Sequence, residues 1–126
     1  MSMKTELGKV RGLGAAHNGT QHFFMQRVTA IANVPLTLYL LYFVIAHLGA
    51  GRGAVVASIK NPFAALALCL ALISICWHMK LGLQMVIEDY VHGHVAKFAC
   101  LILNIFFAFG LCGLGIFAIL KMSFGA

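Results

Sequence analysis

Residues 63–87 read FAALALCLALISICWHMKLGLQMVI, an apolar run whose only basic side chains are His78 and Lys80. Crossing the hydrocarbon core takes about 20 apolar residues in a helix, so this stretch is long enough to span with some tilt. Two further stretches share the pattern, Val28 to Leu48 and Phe98 to Leu120. Backbone N–H and C=O groups find no partners in hydrocarbon, which makes each stretch a helix rather than an open strand. The expected fold is an all-α membrane protein with three transmembrane helices, at about residues 28–48, 62–92 and 97–120. Residues 1–27 form a polar N-terminal segment and residues 28–126 a single transmembrane domain. Asn61 is the expected N-cap of the second helix, with Pro62 at the first helical position, where its missing N–H is not needed. Gly93 is expected to end that helix in the left-handed conformation that a residue without Cβ adopts freely.

Composition agrees. Of 126 residues, 62% are hydrophobic and 10% charged, against about 45–50% and about 25% in soluble domains. Nine Lys and Arg against three Asp and Glu give a net charge of +6, but the cations are scattered between apolar runs, which excludes a nucleic-acid-binding stripe. Cys69, Cys76, Cys100 and Cys112 all lie in apolar stretches without C-x-x-C spacing, arguing against a zinc site or a disulfide framework. The N-terminal segment resembles neither a cleaved signal peptide nor an organelle transit peptide, so the first helix is expected to be retained and the protein to be bacterial.

Cation bias sets the orientation. Lys4, Lys9, Arg11 and Arg27 precede the first helix and Lys97 lies in the second loop, while Arg52, Lys60 and Lys121 belong to the other side. The richer side faces inward, which puts the N-terminus in the cytoplasm, the C-terminus in the periplasm, and Glu88 to Lys97 on the cytoplasmic face of the inner membrane.

An ionisable group at bilayer depth calls for a reason. His78 lies sixteen residues after Pro62 and ten before Glu88, so at about 1.5 Å per residue it sits roughly 24 Å from the outer helix end and roughly 15 Å from the inner one. A neutral imidazole there can hydrogen-bond a neighbouring helix or ligate a metal, haem iron being a recurrent case. With His78 at zero and about 100° per residue, Gly82 falls near 40°, Met85 near −20° and Asp89 near 20°. Ser74 and Ala71 extend the stripe outward. The stripe can seat a flat bulky group close to the backbone, or pack a neighbouring helix through small residues; both readings stand. Lys80 points to the opposite side, either to a haem propionate or, by snorkelling, to the inner interface or another chain. His47 is near the outer end of the first helix, roughly 20 Å from the depth of His78, so the two cannot ligate one iron. Where the second helix leaves the membrane stand Asp89 and Tyr90. A tyrosine hydroxyl is a proton donor at neutral pH and an adjacent carboxylate can orient it, as a quinone head group needs, though an interfacial anchor uses the same residues.

The run from His78 through Gln84 to Asp89 and Tyr90, with the histidine eleven residues before the Asp-Tyr pair, resembles the second helix of the small hydrophobic anchor subunit of succinate dehydrogenase, respiratory complex II. Val91, His92 and Gly93 continue the likeness to mitochondrial-type members, and His22, Phe23, Arg27, Thr29, Ala30 and Ile31 match at the entry to the first helix. Lys80 departs from the pattern, since mitochondrial-type members carry a neutral residue or histidine there. The resemblance implies a subunit that is not catalytic on its own, working in the respiratory chain and tricarboxylic acid cycle. Its implied partners are a second cytochrome b anchor subunit, an iron–sulfur subunit and a flavoprotein subunit holding FAD. It further implies that His78 is an axial ligand of haem b iron, the other ligand coming from the second anchor. Tyr90 then donates to a ubiquinone carbonyl, Asp89 supports it, and Arg27 meets a propionate or the quinone. Two other functions use the same residues. One is a homodimeric haem b cytochrome joined through two copies of His78, the other a small proton-coupled transporter relaying through His78 or Lys80.

Overall fold

The computed structural model describes residues 5–12 and 17–125, and Lys4 lies outside them. The chain forms five helices among these residues, α1 (Glu6–Val10), α2 (His17–Ala46), α3 (Arg52–Ile59), α4 (Pro62–Tyr90) and α5 (His94–Ser123), and no strand. Three are long and apolar enough to cross a membrane, spanning Gly19–Ala46, Pro62–Tyr90 and His94–Ser123 with mean hydropathies of 1.9, 1.9 and 2.3. The three-helix membrane architecture read from the sequence is the one observed.

The helix ends differ from those read off hydropathy. α2 begins at His17 rather than near residue 28, and α5 runs from His94 to Ser123 rather than 97–120. An apolar window reports where side chains favour lipid, whereas a helix continues for as long as its backbone groups pair internally. The extra turns of α2 carry His22 and Gln26, which line a cavity with Gln84, Met85 and Glu88 of α4, described below. At the start of α4, Asn61 caps as expected, its side-chain oxygen accepting from the Phe63 N–H at 3.0 Å with Pro62 at the first turn.

Gly93 does not end α4. That helix stops at Tyr90, the chain turns through Val91 (φ −95°, ψ 111°), and Gly93 is the N-cap of α5 with φ −74° and ψ 130°. Only three residues, Val91 to Gly93, separate the two helices. So short a connection leaves α4 in extended backbone and enters α5 directly, without a left-handed residue.

The short helix α3 was not legible in the hydropathy pattern. A left-handed turn at Gly49 (φ +77°) follows α2, and Gly51 caps α3. α3 buries Ile59 against Ala65 and Leu68 of α4, with Tyr39, Phe43 and Ile119 packed around them. This apolar cluster closes the Pro62 end of the bundle.

α4 lies in the middle, flanked by α2 and α5. On the α5 side, a Cβ at Gly115 would collide with the Leu72 side chain, so glycine lets the two helices approach closely there. Asn104, 6% exposed, donates from Nδ2 to the Lys80 carbonyl at 2.9 Å. The Lys80 ammonium lies over the Trp77 ring, 5.3 Å from its centroid. It is thus turned back along α4 instead of reaching toward the Tyr90 end.

Candidate functional site

The polar side chains of α2 that face α4 recur at His22, Gln26, Thr29 and Asn33, a spacing of three and four that aligns them on one helix face. The stripe of α4 meets them in antiparallel order. Ser74 donates to the Asn33 side-chain oxygen at 2.6 Å, and Thr29 Oγ1 lies 3.0 Å from His78 Nδ1. A Cβ at Gly82 would come within 3.8 Å of Gln26 Nε2. Ser74, His78 and Gly82 therefore pack against α2, which realises the close-packing reading of the stripe within this chain. Thr29 is buried at 7% exposure and His78 is half-buried.

This packing uses only one of the two His78 ring nitrogens. Nδ1 is held by Thr29, and Nε2 has no hydrogen bond among the described residues. His47 is the contrasting case. Its Nδ1 contacts the Phe43 carbonyl at 2.7 Å and its Nε2 the Ser58 hydroxyl at 2.7 Å, so it ties α3 to α2 with both nitrogens engaged. A neutral imidazole has a single lone pair on nitrogen, and ligation requires it to be available. His78 meets that requirement; His47 does not.

Toward the Tyr90 end the seam opens into a cavity of about 570 Å³ lined by His22, Gln26, Arg27, Gln84, Met85 and Glu88 among others. His22 Nε2 and Gln26 Oε1 are buried without hydrogen-bond partners among the described residues, and both residues line this cavity. Buried polar atoms are nearly always paired in folded proteins, so two unpaired atoms on residues lining one cavity set it apart from the packed seam. Arg27, itself exposed, lays its guanidinium over the Phe23 ring at 5.0 Å. Gln84 donates to Glu88 at 2.9 Å.

The structure brings Arg27 to the same end of the bundle as Asp89 and Tyr90, yet not into one pocket with them. Tyr90 is the last residue of α4 and 77% exposed, Asp89 is exposed beside it, and neither side chain makes a hydrogen bond or ion pair among the described residues. Among the described residues no three His, Cys, Asp or Glu side chains cluster in a way that would hold a metal ion. Any metal at His78 would therefore need ligands from elsewhere. Gln26 and Asn33 were not picked out from the sequence, although their position in the α2 polar stripe was a readable signal. Asn104 gave none beyond being a lone amide in an apolar helix.

The profile of the succinate dehydrogenase/fumarate reductase transmembrane subunit family matches residues 1–112. The chain is 36% identical over 88 residues to the succinate dehydrogenase hydrophobic membrane anchor subunit of Rickettsia bellii, covering 70% of each chain. It is 32% identical over 115 residues to the subunit of the same name from Paracoccus denitrificans, covering 91% of this chain and 88% of that one. The succinate dehydrogenase membrane anchor subunit of Reclinomonas americana is 29% identical over 89 residues, or 68% and 74% of the two chains. No solved structure matches the chain. On the family match and on the shared length and identity of these relatives, the chain belongs to the succinate dehydrogenase/fumarate reductase transmembrane subunit family.

Proposed function

We propose that the chain is a non-catalytic anchor subunit of succinate:ubiquinone oxidoreductase in a bacterial cytoplasmic membrane. It pairs with a second anchor chain and attaches an iron–sulfur subunit and an FAD-bearing flavoprotein subunit, linking the tricarboxylic acid cycle to the respiratory chain. The observation that carries this reading is the state of His78: one ring nitrogen tied to Thr29, the other without a hydrogen bond among the described residues. That is what an axial haem ligand requires.

Haem b, when bound, supplies a one-electron store near the quinone. His78 would hold haem iron through Nε2, and a second ligand would come from the second anchor chain, since His47 lies just beyond the far end of α2 and its lone pair is engaged by the Ser58 hydroxyl. Arg27 supplies positive charge at the mouth of the cavity, suited to a propionate or a quinone oxygen, and the unpaired His22 and Gln26 atoms give that cavity further polar groups. Tyr90 donates its hydroxyl proton to a ubiquinone carbonyl, and Asp89 orients the phenol and passes protons to it. Their exposure in the single chain leaves both groups available to a ligand and to a docked partner. This end of the bundle faces the cytoplasm, with the N-terminus on that side and the C-terminus in the periplasm, a reading supported by the charge bias of the sequence.

Gentle detergent extraction followed by mass spectrometry of all co-purifying chains and by haem and flavin assay tests the proposal. A second small membrane chain, an iron–sulfur protein and a flavoprotein are expected together with haem b. A haem-containing homodimer free of the other subunits would overturn it, as would a haem-free chain that moves a solute in proteoliposomes.

A further inference from the structure

The Thr29 hydroxyl oxygen has three close polar neighbours: the Met25 carbonyl at 2.8 Å, the Gln26 carbonyl at 3.1 Å and His78 Nδ1 at 3.0 Å. The hydroxyl has one proton to give, and carbonyl oxygens only accept. If that proton pointed at Nδ1, two carbonyl oxygens would face the hydroxyl lone pairs with no hydrogen between them. With the proton directed back along α2 to Met25 and Gln26, the usual bond of a threonine inside a helix, the remaining contact is completed only when Nδ1 carries a proton and donates it to Oγ1. All three contacts are then hydrogen-bonded, and the neutral ring has its lone pair on Nε2.

We infer that Thr29 is the positioning residue of His78: its hydroxyl accepts the Nδ1 proton, fixes the ring orientation, and presents the Nε2 lone pair as the ligating atom. The inference rests on the reading of His78 as a haem ligand and extends it to the group behind the ligand. Such partners set the tautomer and raise the basicity of the ligating nitrogen, and their loss typically weakens metal binding by about 10- to 100-fold. A more basic imidazole favours the ferric over the ferrous state, so removing the acceptor raises the haem reduction potential.

The test is made in the intact membrane complex with Thr29→Val, which keeps the shape of threonine and deletes the hydroxyl, and Thr29→Ser, which keeps the hydroxyl. Thr29→Ala, too small to clash, is the second variant should valine hinder assembly. The readouts are haem retention on titration with a competing apo-haem-binding protein, the reduction potential, and the low-spin ferric electron paramagnetic resonance signal. The Val and Ala variants are expected to lose haem about 10- to 100-fold more readily, with a raised potential and a shifted signal, while Ser matches the unsubstituted complex. Unchanged potential and signal in an assembled Val or Ala variant overturns the inference, as does an equal change in Ser, which would make the effect one of packing. His78→Gln separates this from the underlying reading. If that variant keeps the haem and its signal, His78 is not the ligand and the reading itself fails.

Discussion

Ser74 on α4 gives its hydroxyl proton to the side-chain oxygen of Asn33 on α2 across 2.6 Å, one turn of α4 from the Thr29–His78 contact. The two rungs together set the register of α2 against α4. Interhelical hydrogen bonds in membranes are modest, averaging about 0.6 kcal/mol with a maximum near 1.7 kcal/mol, because unfolded-in-membrane states also find partners. A double-mutant cycle on Ser74→Ala and Asn33→Ala, read as thermal stability of the detergent-solubilised complex, is expected to give a coupling in that range. Additive effects would show that the rung does not hold the helices together. Neither substitution is expected to move the haem spectrum, since the His78 ring is held by Thr29 and neither the Ser74 nor the Asn33 side chain hydrogen-bonds it.

Tyr90→Phe removes one hydroxyl from an exposed position at the end of α4. Nothing in the fold leans on that oxygen, so assembly and haem spectrum should be unchanged. Deleting a proton donor that acts in the transition state lowers rates by about 10²–10⁴-fold, and quinone reduction should fall accordingly. Succinate oxidation by an artificial acceptor at the soluble subunits should persist. Quinone kinetics that match the unsubstituted complex would remove Tyr90 from the site.

The α4–α5 contact gives a prediction about stability alone. A Cβ at Gly115 would collide with Leu72, whereas the corresponding position at Gly113 meets nothing within 4 Å among the described residues. Overpacking of a filled interface costs about 1–3 kcal/mol. Gly115→Val should lower the melting temperature of the complex with quinone kinetics retained in the folded fraction. An unaltered melting temperature would mean that α5 shifts as a body at little expense. Gly113→Ala, whose added Cβ meets no described atom within 4 Å, reports whether a partner chain covers that position.

The number and type of the long helices could be read directly, because hydrocarbon demands internally paired backbone and leaves a run of apolar residues as its mark. The cap at Asn61 was equally local, a matter of one side chain and the following proline. Helix ends were harder: α2 begins at His17, well before its apolar run, and hydropathy marks only where side chains favour lipid. The site divides in the same way. His78, Asp89, Tyr90 and Arg27 stood out by type and spacing, but the sequence left open whether the His78 stripe faces a cofactor or a helix. Only the antiparallel placement of α2 pairs Thr29 with Nδ1 and shows that packing and ligation use different nitrogens of one ring. The short α3 escaped notice because eight residues are too few to leave a span-like signal, and its place depends on burying Ile59.

Orientation is the last property that the chemistry of Asp89 and Tyr90 depends on. These residues share their end of the bundle with His22 and Arg27, which line a cavity with Glu88, while Arg52 and Lys60 lie at the opposite end, on α3 and just beyond it. Positive residues flanking spans are retained on the cytoplasmic side, and in the sequence five cations precede the first span or lie between the second and third, against three on the other side. Arg52 and His94 are both exposed and flank different connections, so cysteines at these positions report the two faces separately. The four native cysteines lie within α4 and α5, where a large hydrophilic maleimide does not reach. Arg52→Cys should be labelled in spheroplasts, and His94→Cys only after the membrane is permeabilised. The reverse pattern would put Asp89 and Tyr90 on the periplasmic face, away from soluble subunits that oxidise succinate in the cytoplasm, and would leave the quinone site proposed for them without an electron source.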